Sequence, residues 1–257
     1  MIEVNSIIKR FEQQEVLKGI SASFENGRTN LIIGKSGAGK TVLLKCIVGL
    51  IPPDEGTITY DGRDTIAMSK KEKLLMRQEI GMLFQNAALF DSMSVLENVM
   101  FPLDMFSTMT YNERLQRARA CLERVNLIEA QDKNPEELSG GMQKRAAIAR
   151  AIAMKPKYLF CDEPNSGLDP QTSLIIDELI HNITEEFGIT TIVNTHDMNS
   201  VMNIGDHIIF LANGELCWEG NNKEILNTDN KTLNDFLFSS EILRQVKEQA
   251  TGLNINK

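Results

Sequence analysis

The sequence has no apolar run long enough to cross a membrane. Its longest stretch without a charged residue covers only positions 80–90, whereas a membrane-spanning helix needs about 20 apolar residues. The first residues, Met1–Asn5, contain no basic segment that leads into an apolar one, so no secretory signal peptide is expected. We therefore expect any association with a membrane to depend on a partner protein.

Cysteine and positive charge are also scarce. The four cysteines, Cys46, Cys121, Cys161 and Cys217, are widely spaced and form no Cys-x-x-Cys pair. This spacing argues against a zinc site and favours buried free thiols in a reducing cytosol. The 27 lysines and arginines are outnumbered by 35 aspartates and glutamates, which leaves a net charge of −8. A general nucleic-acid binder is usually basic, so we expect no nucleic-acid partner.

The chain does have enough apolar residues for a core. Its 257 residues are 42% hydrophobic and 24% charged, which suits one large α/β domain or a core with a subdomain. Short apolar runs, typical of buried strands, alternate with helical patterns. These runs lie at positions 30–33, 158–161, 190–194 and 207–211. The alternation predicts a largely parallel sheet with crossover helices.

Two regions differ from this alternating core. Residues 2–8 and 16–24 alternate apolar and polar side chains and predict two N-terminal strands with a turn between them. Between Ser94 and Ala153, strand signals are absent and helical patterns cover positions 111–125 and 139–153. We interpret this region, about 90–155, as a helical insertion in the α/β core.

The segment from Gly34 to Thr41 has the pattern Gly-x-x-x-x-Gly-Lys-Thr between an apolar strand and a helix. In that context the pattern predicts a phosphate-binding loop, because backbone N–H groups and the helix N-terminus attract phosphate oxygens. Lys40 can reach the β- and γ-phosphates, and the Thr41 hydroxyl can coordinate Mg²⁺. The residues expected to bind the nucleotide are Gly34, Ser36, Gly37, Ala38, Gly39, Lys40 and Thr41.

An apolar strand that begins at Tyr158 ends in two carboxylates, Asp162 and Glu163. Ligand chemistry gathers at the carboxyl ends of parallel strands. Taken alone, the pair could equally be a strand that exits to solvent. Together with the phosphate-binding loop, it predicts that Asp162 holds Mg²⁺ and that Glu163 orients or deprotonates the attacking water.

A second glycine pair lies in the segment Leu138-Ser139-Gly140-Gly141-Met142. Ser139 is a good N-cap for the helix that follows, and the glycines expose N–H groups that could bind an anion. Local physics leaves two alternatives open here, a second anion site and a simple capped helix start.

With these motifs in order, the chain closely resembles the nucleotide-binding subunit of ABC transporters over nearly all of residues 1–225. The resemblance includes Phe11 at the adenine-stacking position, Gln85 at the Q-loop, Ser166–Asp169 at the D-loop and His196 at the switch histidine. It implies a P-loop NTPase (RecA-like) parallel-sheet core with an N-terminal antiparallel β subdomain and a helical insertion. The expected division is an ATPase domain over 1–228 and a C-terminal helical tail over 229–257.

The resemblance also implies ATP and Mg²⁺ as ligands and a second copy of the chain as partner. Two copies would face each other head to tail, each ATP lying between the phosphate-binding loop of one and the Leu138–Met142 signature of the other. The catalytic residues implied are Glu163, His196, Gln85 and Lys40, and the metal ligands are Thr41, Gln85 and Asp162. Phe11, Ser139, Gly140, Gly141 and Asp169 complete the implied nucleotide site.

A narrower resemblance is carried by Leu83–Asp91, Glu97–Leu103 and Leu138–Arg150. These segments look like the ATPases of maintenance-of-lipid-asymmetry (Mla) phospholipid transporters. That type implies an integral membrane permease, contacted by about 86–109, an Mce-type lipid-binding subunit, and a place on the cytoplasmic face of the inner membrane. Phe11 stands where Tyr is frequent and Asn165 where Thr is common, and the tail differs from the longer tails of some Mla-type ATPases.

Alternatives to this interpretation remain. The chain could serve a small-molecule importer, or act as a soluble ABC ATPase in cofactor assembly. The apolar residues of 86–109 could meet a permease or simply pack in the helical insertion. They are Leu89, Phe90, Met93, Met100, Phe101, Met105, Phe106 and Met109.

Overall fold

The computed structural model describes residues 1–238 of the chain. Within this range the strands are β1 (Ile2–Phe11), β2 (Gln14–Phe24), β3 (Thr29–Ile33), β4 (Glu55–Tyr60), β5 (Arg63–Asp64), β6 (Ile80–Leu83), β7 (Tyr158–Asp162), β8 (Thr190–Thr195), β9 (His207–Ala212) and β10 (Glu215–Gly220). The α-helices are α1 (Lys40–Val48), α2 (Lys70–Gln78), α3 (Val95–Phe106), α4 (Tyr111–Arg124), α5 (Gly140–Ile152), α6 (Pro170–Phe187), α7 (Met198–Ile204) and α8 (Lys231–Leu237).

The strands form two sheets. The smaller sheet is antiparallel, in the order β2-β1-β4-β5, and the larger has the order β10-β9-β3-β8-β7-β6. Strands β9, β3, β8, β7 and β6 pair in parallel, while β10 pairs antiparallel with β9. The predicted fold class is confirmed: a P-loop NTPase-type parallel core, an N-terminal antiparallel sheet and a helical insertion.

The central strands β3, β7 and β8 are buried along their whole length. Both faces of a parallel sheet are covered, so these strands have no alternating exposed face, and their polar residues are buried as well. On β3, Leu31 and Ile33 pack into one hydrophobic cluster and Ile32 packs into the other. The sheet is therefore packed on both faces, and the loops that carry the candidate site begin at the ends of its strands.

The helical insertion lies between β6 and β7 and contains three α-helices, α3, α4 and α5, which pack against one another. The sequence patterns predicted only the second and third. Helix α3 was missed because Pro102 lies inside it, and proline normally ends or kinks a helix. Its start is nevertheless fixed by a capping box, in which Ser94 Oγ accepts from the Glu97 N–H and Glu97 Oε2 accepts from the Ser94 N–H.

The segment 86–109 divides between core and surface. Met100 is buried, and Leu89, Met93, Phe101 and Met109 are half-buried. Phe90, Met105 and Phe106 are exposed. Ordinary packing therefore explains part of the apolar residues, and the rest are at the surface.

The predicted tail, 229–257, is only partly covered by the described residues. Helix α8 packs on its own domain, since Leu233 and Leu237 are buried and the rings of Phe236 and Phe210 lie 5.3 Å apart. The rest of the predicted tail, positions 239–257, lies outside the described residues. The division at position 228 stays a prediction.

Among residues 1–238, none of the helices combines the length and the apolar character needed to cross a membrane. All four cysteines are free, and Cys46, Cys121 and Cys161 are buried as expected. The expectation was wrong for Cys217, which is only partly buried. It lies on β10, and an edge strand leaves one side uncovered.

Candidate nucleotide-binding site

The phosphate-binding loop connects β3 to α1 and takes a shape that only glycine allows. Gly39 has φ 101°, and a Cβ there would lie 2.8 Å from Leu17 Cδ2 and 3.1 Å from the Val16 carbonyl oxygen. As the N-cap of α1, Gly39 offers no side chain to the first N–H groups of the helix. Those groups are therefore available to an anion, which the helix dipole also favours.

Lys40 lies folded across this loop. Its side chain is buried, and Nζ donates to the carbonyl oxygens of Gly34 at 2.9 Å and Lys35 at 3.2 Å. Burial lowers the pKa of Lys40, and the charges of Glu163 and Asp162 act in the opposite direction. The ammonium is thus held inside the loop, where incoming phosphate oxygens can replace its carbonyl partners.

A cavity of about 550 Å³ opens beside the loop, within the range of small-molecule sites. It is lined by Gln14, Glu15, Val16 and Lys18 of β2, by Ser36, Gly37, Gly39, Lys40, Thr41 and Val42, by Glu163, and by Asn213 and Gly214. Sequence reasoning missed the β2 residues and the β9–β10 turn. The β2 residues and the turn are brought to the cavity only by the packing of the two sheets against each other.

Phe11 does not line this cavity. It stands at the end of β1, 43% exposed, with its ring 5.4 Å from Lys9 Nζ. Its partner across the hairpin, Gln14, does line the cavity. The structure thus places Phe11 beside a residue that lines the cavity, and stacking on adenine stays a prediction.

Two of the three expected metal ligands are brought together. Thr41 Oγ1 donates to Asp162 Oδ1 at 3.3 Å, and the buried Asn194 donates through Nδ2 to both, at 2.6 Å to Asp162 and 3.1 Å to Thr41. Hydroxyl and carboxylate oxygens are the ligands that Mg²⁺ prefers. Within residues 1–238 no group of three or more His, Cys, Asp or Glu side chains is placed so that it could hold a metal ion.

Asn194 is the residue that sequence reasoning missed in this group. It lies near the carboxyl end of β8, in the apolar run at 190–194. A buried amide at the end of an apolar strand, next to the strand that carries Asp162, is the signal that could have found it.

Gln85 is not brought to the metal ligands. Its Nε2 donates to Ser166 Oγ at 3.2 Å, and its backbone carbonyl accepts from Lys144 Nζ. The side chain therefore contacts the loop that follows Glu163, rather than Thr41 and Asp162. The metal and catalytic roles of Gln85 stay predictions.

Glu163 and His196 meet at the ends of adjacent strands. Glu163 Oε1 lies 3.2 Å from His196 Nδ1, and the Glu163 N–H donates to the Asn194 carbonyl at 2.9 Å. Glu163 adopts a left-handed conformation, φ 47°, which is disfavoured for a non-glycine residue. It lines the 550 Å³ cavity and also a neighbouring cavity of about 420 Å³ that His196 lines. The carboxylate thus stands between the phosphate-binding loop and the histidine.

The signature lies elsewhere on the chain. Ser139 caps α5, its Oγ accepting from the Met142 N–H at 3.3 Å, and it is exposed together with Gly140. Gly141 packs so closely on α6 that a Cβ there would lie 2.5 Å from Thr172 Cγ2. None of the signature residues lines the phosphate-loop cavity of its own chain.

Asp169 also lies away from the cavity. It caps α6, where Oδ1 accepts from the Thr172 N–H at 3.0 Å and Oδ2 from the Thr172 hydroxyl at 2.5 Å. The Thr172 hydrogen bonds hold the pKa of Asp169 below its usual value. Because Thr172 also contacts the site of Gly141, Asp169 and the signature are neighbours on one exposed surface.

Known proteins are similar to this chain in sequence and in fold. A family model described as ABC transporter matches residues 17–166. The methionine import ATP-binding protein of Clostridioides difficile is 36% identical over 243 residues, which cover 95% of this chain and 75% of that protein. The intermembrane phospholipid transport system ATP-binding protein of Haemophilus influenzae is 36% identical over 237 residues, which cover 92% of this chain and 90% of that protein.

A solved structure matches as well. The dimer of an ATP-binding cassette in a post-hydrolysis state, bound to ADP and phosphate, has a TM-score of 0.79 and 34% identity to this chain. The match covers 86% of this chain and 99% of the other.

Proposed function

This chain belongs to the ABC transporter family as an ATP-hydrolysing subunit, and from that premise we propose that it drives phospholipid transport in a bacterial envelope. The proposal is carried by the match to the Haemophilus influenzae phospholipid transport protein, which this chain covers over 90% of its length. The methionine import protein is equally identical but extends further beyond this chain. The segments Leu83–Asp91 and Glu97–Leu103, similar to Mla-type ATPases, support the same cargo.

The working unit that we propose is a head-to-tail dimer with two ATP sites. Each ATP lies between the phosphate-binding loop of one copy and Ser139 and Gly141 of the other, while Asp169 couples the sites across the interface. Two observations support this arrangement. Ser139 is exposed and absent from the lining of its own chain's cavity, and the similar ATP-binding cassette is a dimer.

Hydrolysis then depends on positioning and charge more than on covalent chemistry. We propose that Lys40 binds the β- and γ-phosphates and that Glu163 orients or deprotonates the attacking water. His196, within hydrogen-bond distance of Glu163, contacts the γ-phosphate. Mg²⁺ bound by Thr41 and Asp162 would neutralise phosphate charge. Gln85 is proposed to turn from Ser166 toward the metal and the water.

We propose that the membrane permease contacts the exposed apolar side chains of the segment 86–109 and of the adjacent Phe84. Phe84, Phe90, Met105 and Phe106 are each at least 40% exposed, and methionine adapts to irregular partner surfaces. Through the permease the subunit would lie on the cytoplasmic face of the inner membrane, in a complex with an Mce-type lipid-binding subunit. Residues 1–228 would form its ATPase domain, with a helical subdomain at about 90–155, and 229–257 its tail.

The test of cargo is a purified complex of this chain with the membrane proteins that copurify with it. Lipids extracted from the complex are identified by mass spectrometry, and ATP hydrolysis is measured in vesicles with and without added phospholipid. We expect bound phospholipid and faster hydrolysis in its presence, with the Glu163→Gln complex as the inactive control. The proposal would be contradicted by a complex that contains no lipid and whose rate of ATP hydrolysis is the same with and without added phospholipid.

A second candidate is import of a small molecule. It is favoured by the methionine import relative, whose identity to this chain equals that of the phospholipid relative. The same preparation separates the two functions, since an importer ATPase would respond to a loaded small-molecule-binding protein and would not respond to added lipid.

A further inference from the structure

Helix α5, which begins at the signature, holds the Gln85 segment through two cationic side chains. Lys144 Nζ donates to the Gln85 carbonyl. Arg150 donates through Nη2 to the Ala87 carbonyl at 2.8 Å and through Nη1 to the Ala88 carbonyl at 2.7 Å. Three of four successive backbone carbonyls, over positions 85–88, thus accept hydrogen bonds from one helix.

Lys144 is unusual for a lysine because it is buried, at 4% exposure. Burial lowers its pKa, while the negative charges of Glu163 and Asp162 favour the charged form. Its ammonium donates to the Gln85 carbonyl, which is a neutral partner. Burying an ammonium group costs free energy that a hydrogen bond to a neutral carbonyl offsets only in part. The contact therefore points to a positioning role.

The segment that these cations hold is strained. Ala87 and Ala88 both have left-handed backbone conformations, with φ 58° and 50°, which residues other than glycine adopt rarely. Two such residues in succession need external partners to keep their shape. Arg150 provides them, since its two guanidinium N–H groups each donate to one of these carbonyls. Its charge also lies 5.9 Å from the centre of the Phe90 ring.

We propose that Lys144 and Arg150 clamp the Gln85 segment to α5, so that Gln85 and the signature move as one unit. Ser139 precedes Lys144 by less than two turns of the same helix. In the proposed dimer, Gln85 responds to the ATP of its own chain and Ser139 contacts the ATP of the partner. The clamp therefore links the two ATP sites through one protomer, and it rests on the dimer of the proposed function.

In this account Lys144 is a positioning residue, and its loss should separate two sites that normally respond together. The test uses the assembled complex, with ATP hydrolysis measured over a range of ATP concentrations. For Lys144→Met we expect kcat to fall roughly tenfold or more, since small misplacements near reacting groups cost this much. We expect KM to change little and the Hill coefficient for ATP to fall toward about 1, the value for independent sites.

Arg145 offers a matched control on the same helix. It also donates to two backbone carbonyls, those of Val125 and Asn126, each at 3.1 Å, but these lie away from the Gln85 segment. Arg145→Met should lower thermal stability much as Lys144→Met does, while kcat and the Hill coefficient stay near wild type. Arg150→Lys, which keeps the charge but loses the fork, serves as a second, milder variant and should lower the Hill coefficient partially.

Equal losses of kcat in Lys144→Met and Arg145→Met would overturn the clamp, because both would then reflect general destabilisation. Wild-type cooperativity in Lys144→Met and Arg150→Lys would overturn it as well. A wild-type complex with a Hill coefficient of about 1 would overturn the coupling of the two sites, and the clamp with it. A wild-type complex that holds a single copy of the chain, as measured by its mass, would overturn the two-site dimer of the proposed function. The failures are distinguishable because the last is read from the mass of the wild-type complex and the others from hydrolysis.

Discussion

Glu163 Oε1 and His196 Nδ1 lie 3.2 Å apart at the ends of the adjacent strands β7 and β8. The contact places an acid on the cavity beside the phosphate-binding loop and a histidine, whose side chain is 61% exposed, on the neighbouring cavity. A carboxylate in this place can accept a proton from water, and the imidazole can donate to an anion.

We expect Glu163→Gln to bind ATP and to form the ATP-dependent dimer but to hydrolyse ATP roughly 10²-fold more slowly or worse, as loss of a general base implies. The amide keeps the size and one acceptor oxygen but cannot take up the proton. Hydrolysis by the assembled complex and dimerisation by size-exclusion chromatography provide the two measurements. Hydrolysis near the wild-type rate would remove Glu163 from this role.

Asn194 holds the two proposed metal ligands together, since its amide donates to both Asp162 and Thr41. We expect Asn194→Leu to raise the Mg²⁺ concentration needed for half-maximal hydrolysis by about tenfold, the usual effect of removing a residue that orients metal ligands. The measurement is a Mg²⁺ titration of ATP hydrolysis at saturating nucleotide.

Asn30→Leu is the matched control for Asn194→Leu. Asn30 is a buried amide of β3 in the same sheet, where its Nδ2 donates to backbone carbonyls, including that of Thr191. It has no contact with Thr41 or Asp162, so Mg²⁺ dependence should not change. Equal titrations for the wild type and Asn194→Leu would show that the Asn194 amide does not position the metal ligands.

What could be predicted from the sequence was local. The phosphate-binding loop is contiguous, and its shape follows from glycines that are neighbours in the chain. Strands such as β3 and β7 show as short apolar runs because both of their faces are buried. The acidic pair could be predicted for the same reason, since Asp162 and Glu163 directly follow such a run.

What could not be predicted depends on contacts between distant residues. Asn194 is 153 positions from Thr41, and Lys144 is 59 positions from Gln85. Neither pair leaves a periodicity in the chain, because tertiary packing alone brings the partners together. Helix α3 was missed for a different reason. Pro102 disfavours a helix at this position, but the capping box and the buried face stabilise the helix nonetheless.

We expect Ser139→Arg to block hydrolysis without preventing ATP binding by the isolated subunit. Ser139 lies outside the cavity of its own chain, so a large cation there would obstruct only the proposed interface with the partner's ATP. Nucleotide binding to the subunit and hydrolysis by the assembled complex are measured separately. Loss of binding by the isolated subunit would mean that the signature serves its own chain.

A control is needed because Ser139→Arg also removes a helix cap, a loss of about 1 kcal/mol. Ser69 is an exposed N-cap of the same kind, on α2, where it accepts from the Glu72 N–H. Ser69→Arg should therefore show a similar loss of stability with hydrolysis unchanged. If it also abolished hydrolysis, loss of helix stability would explain both variants.

Asp177 on α6 provides a prediction for pH. Its carboxyl is buried and accepts from Asn165 Nδ2 at 2.8 Å, and that amide also donates to Ser200 at 3.0 Å. Burial raises the pKa of Asp177 to about 6, with a smaller contribution from the charge of Asp197, although the hydrogen bonds of Ser200 and Asn165 lower it. Asp177 Oδ2 and Asn165 Oδ1 are both buried without hydrogen-bond partners.

Between pH 4 and pH 6, approximately, the folded chain holds a proton on Asp177 that the unfolded chain has released. The contribution of Asp177 to the free energy of unfolding therefore falls as the pH rises through this window. Above about pH 6, the ionised carboxylate destabilises the fold by roughly 3 kcal/mol. We expect Asp177→Asn to be more stable than wild type at pH 7.5, with an advantage that shrinks toward pH 4.5. Urea unfolding at both pH values provides the measurement.

The surface variant Asp132→Asn is the control for Asp177→Asn, since Asp132 is exposed and the loss of its charge should change stability equally at both pH values. The neutral amide at position 177 can still accept from Asn165, and its own N–H groups can supply a donor to the buried Asn165 oxygen that lacks one. If the stability of Asp177→Asn relative to wild type were lower at pH 7.5 than at pH 4.5, the ionised carboxylate would be the form that the fold requires. The network would then be an ion held by Asn165 and Ser200, and the charge at position 177 would stabilise the loop that carries Glu163.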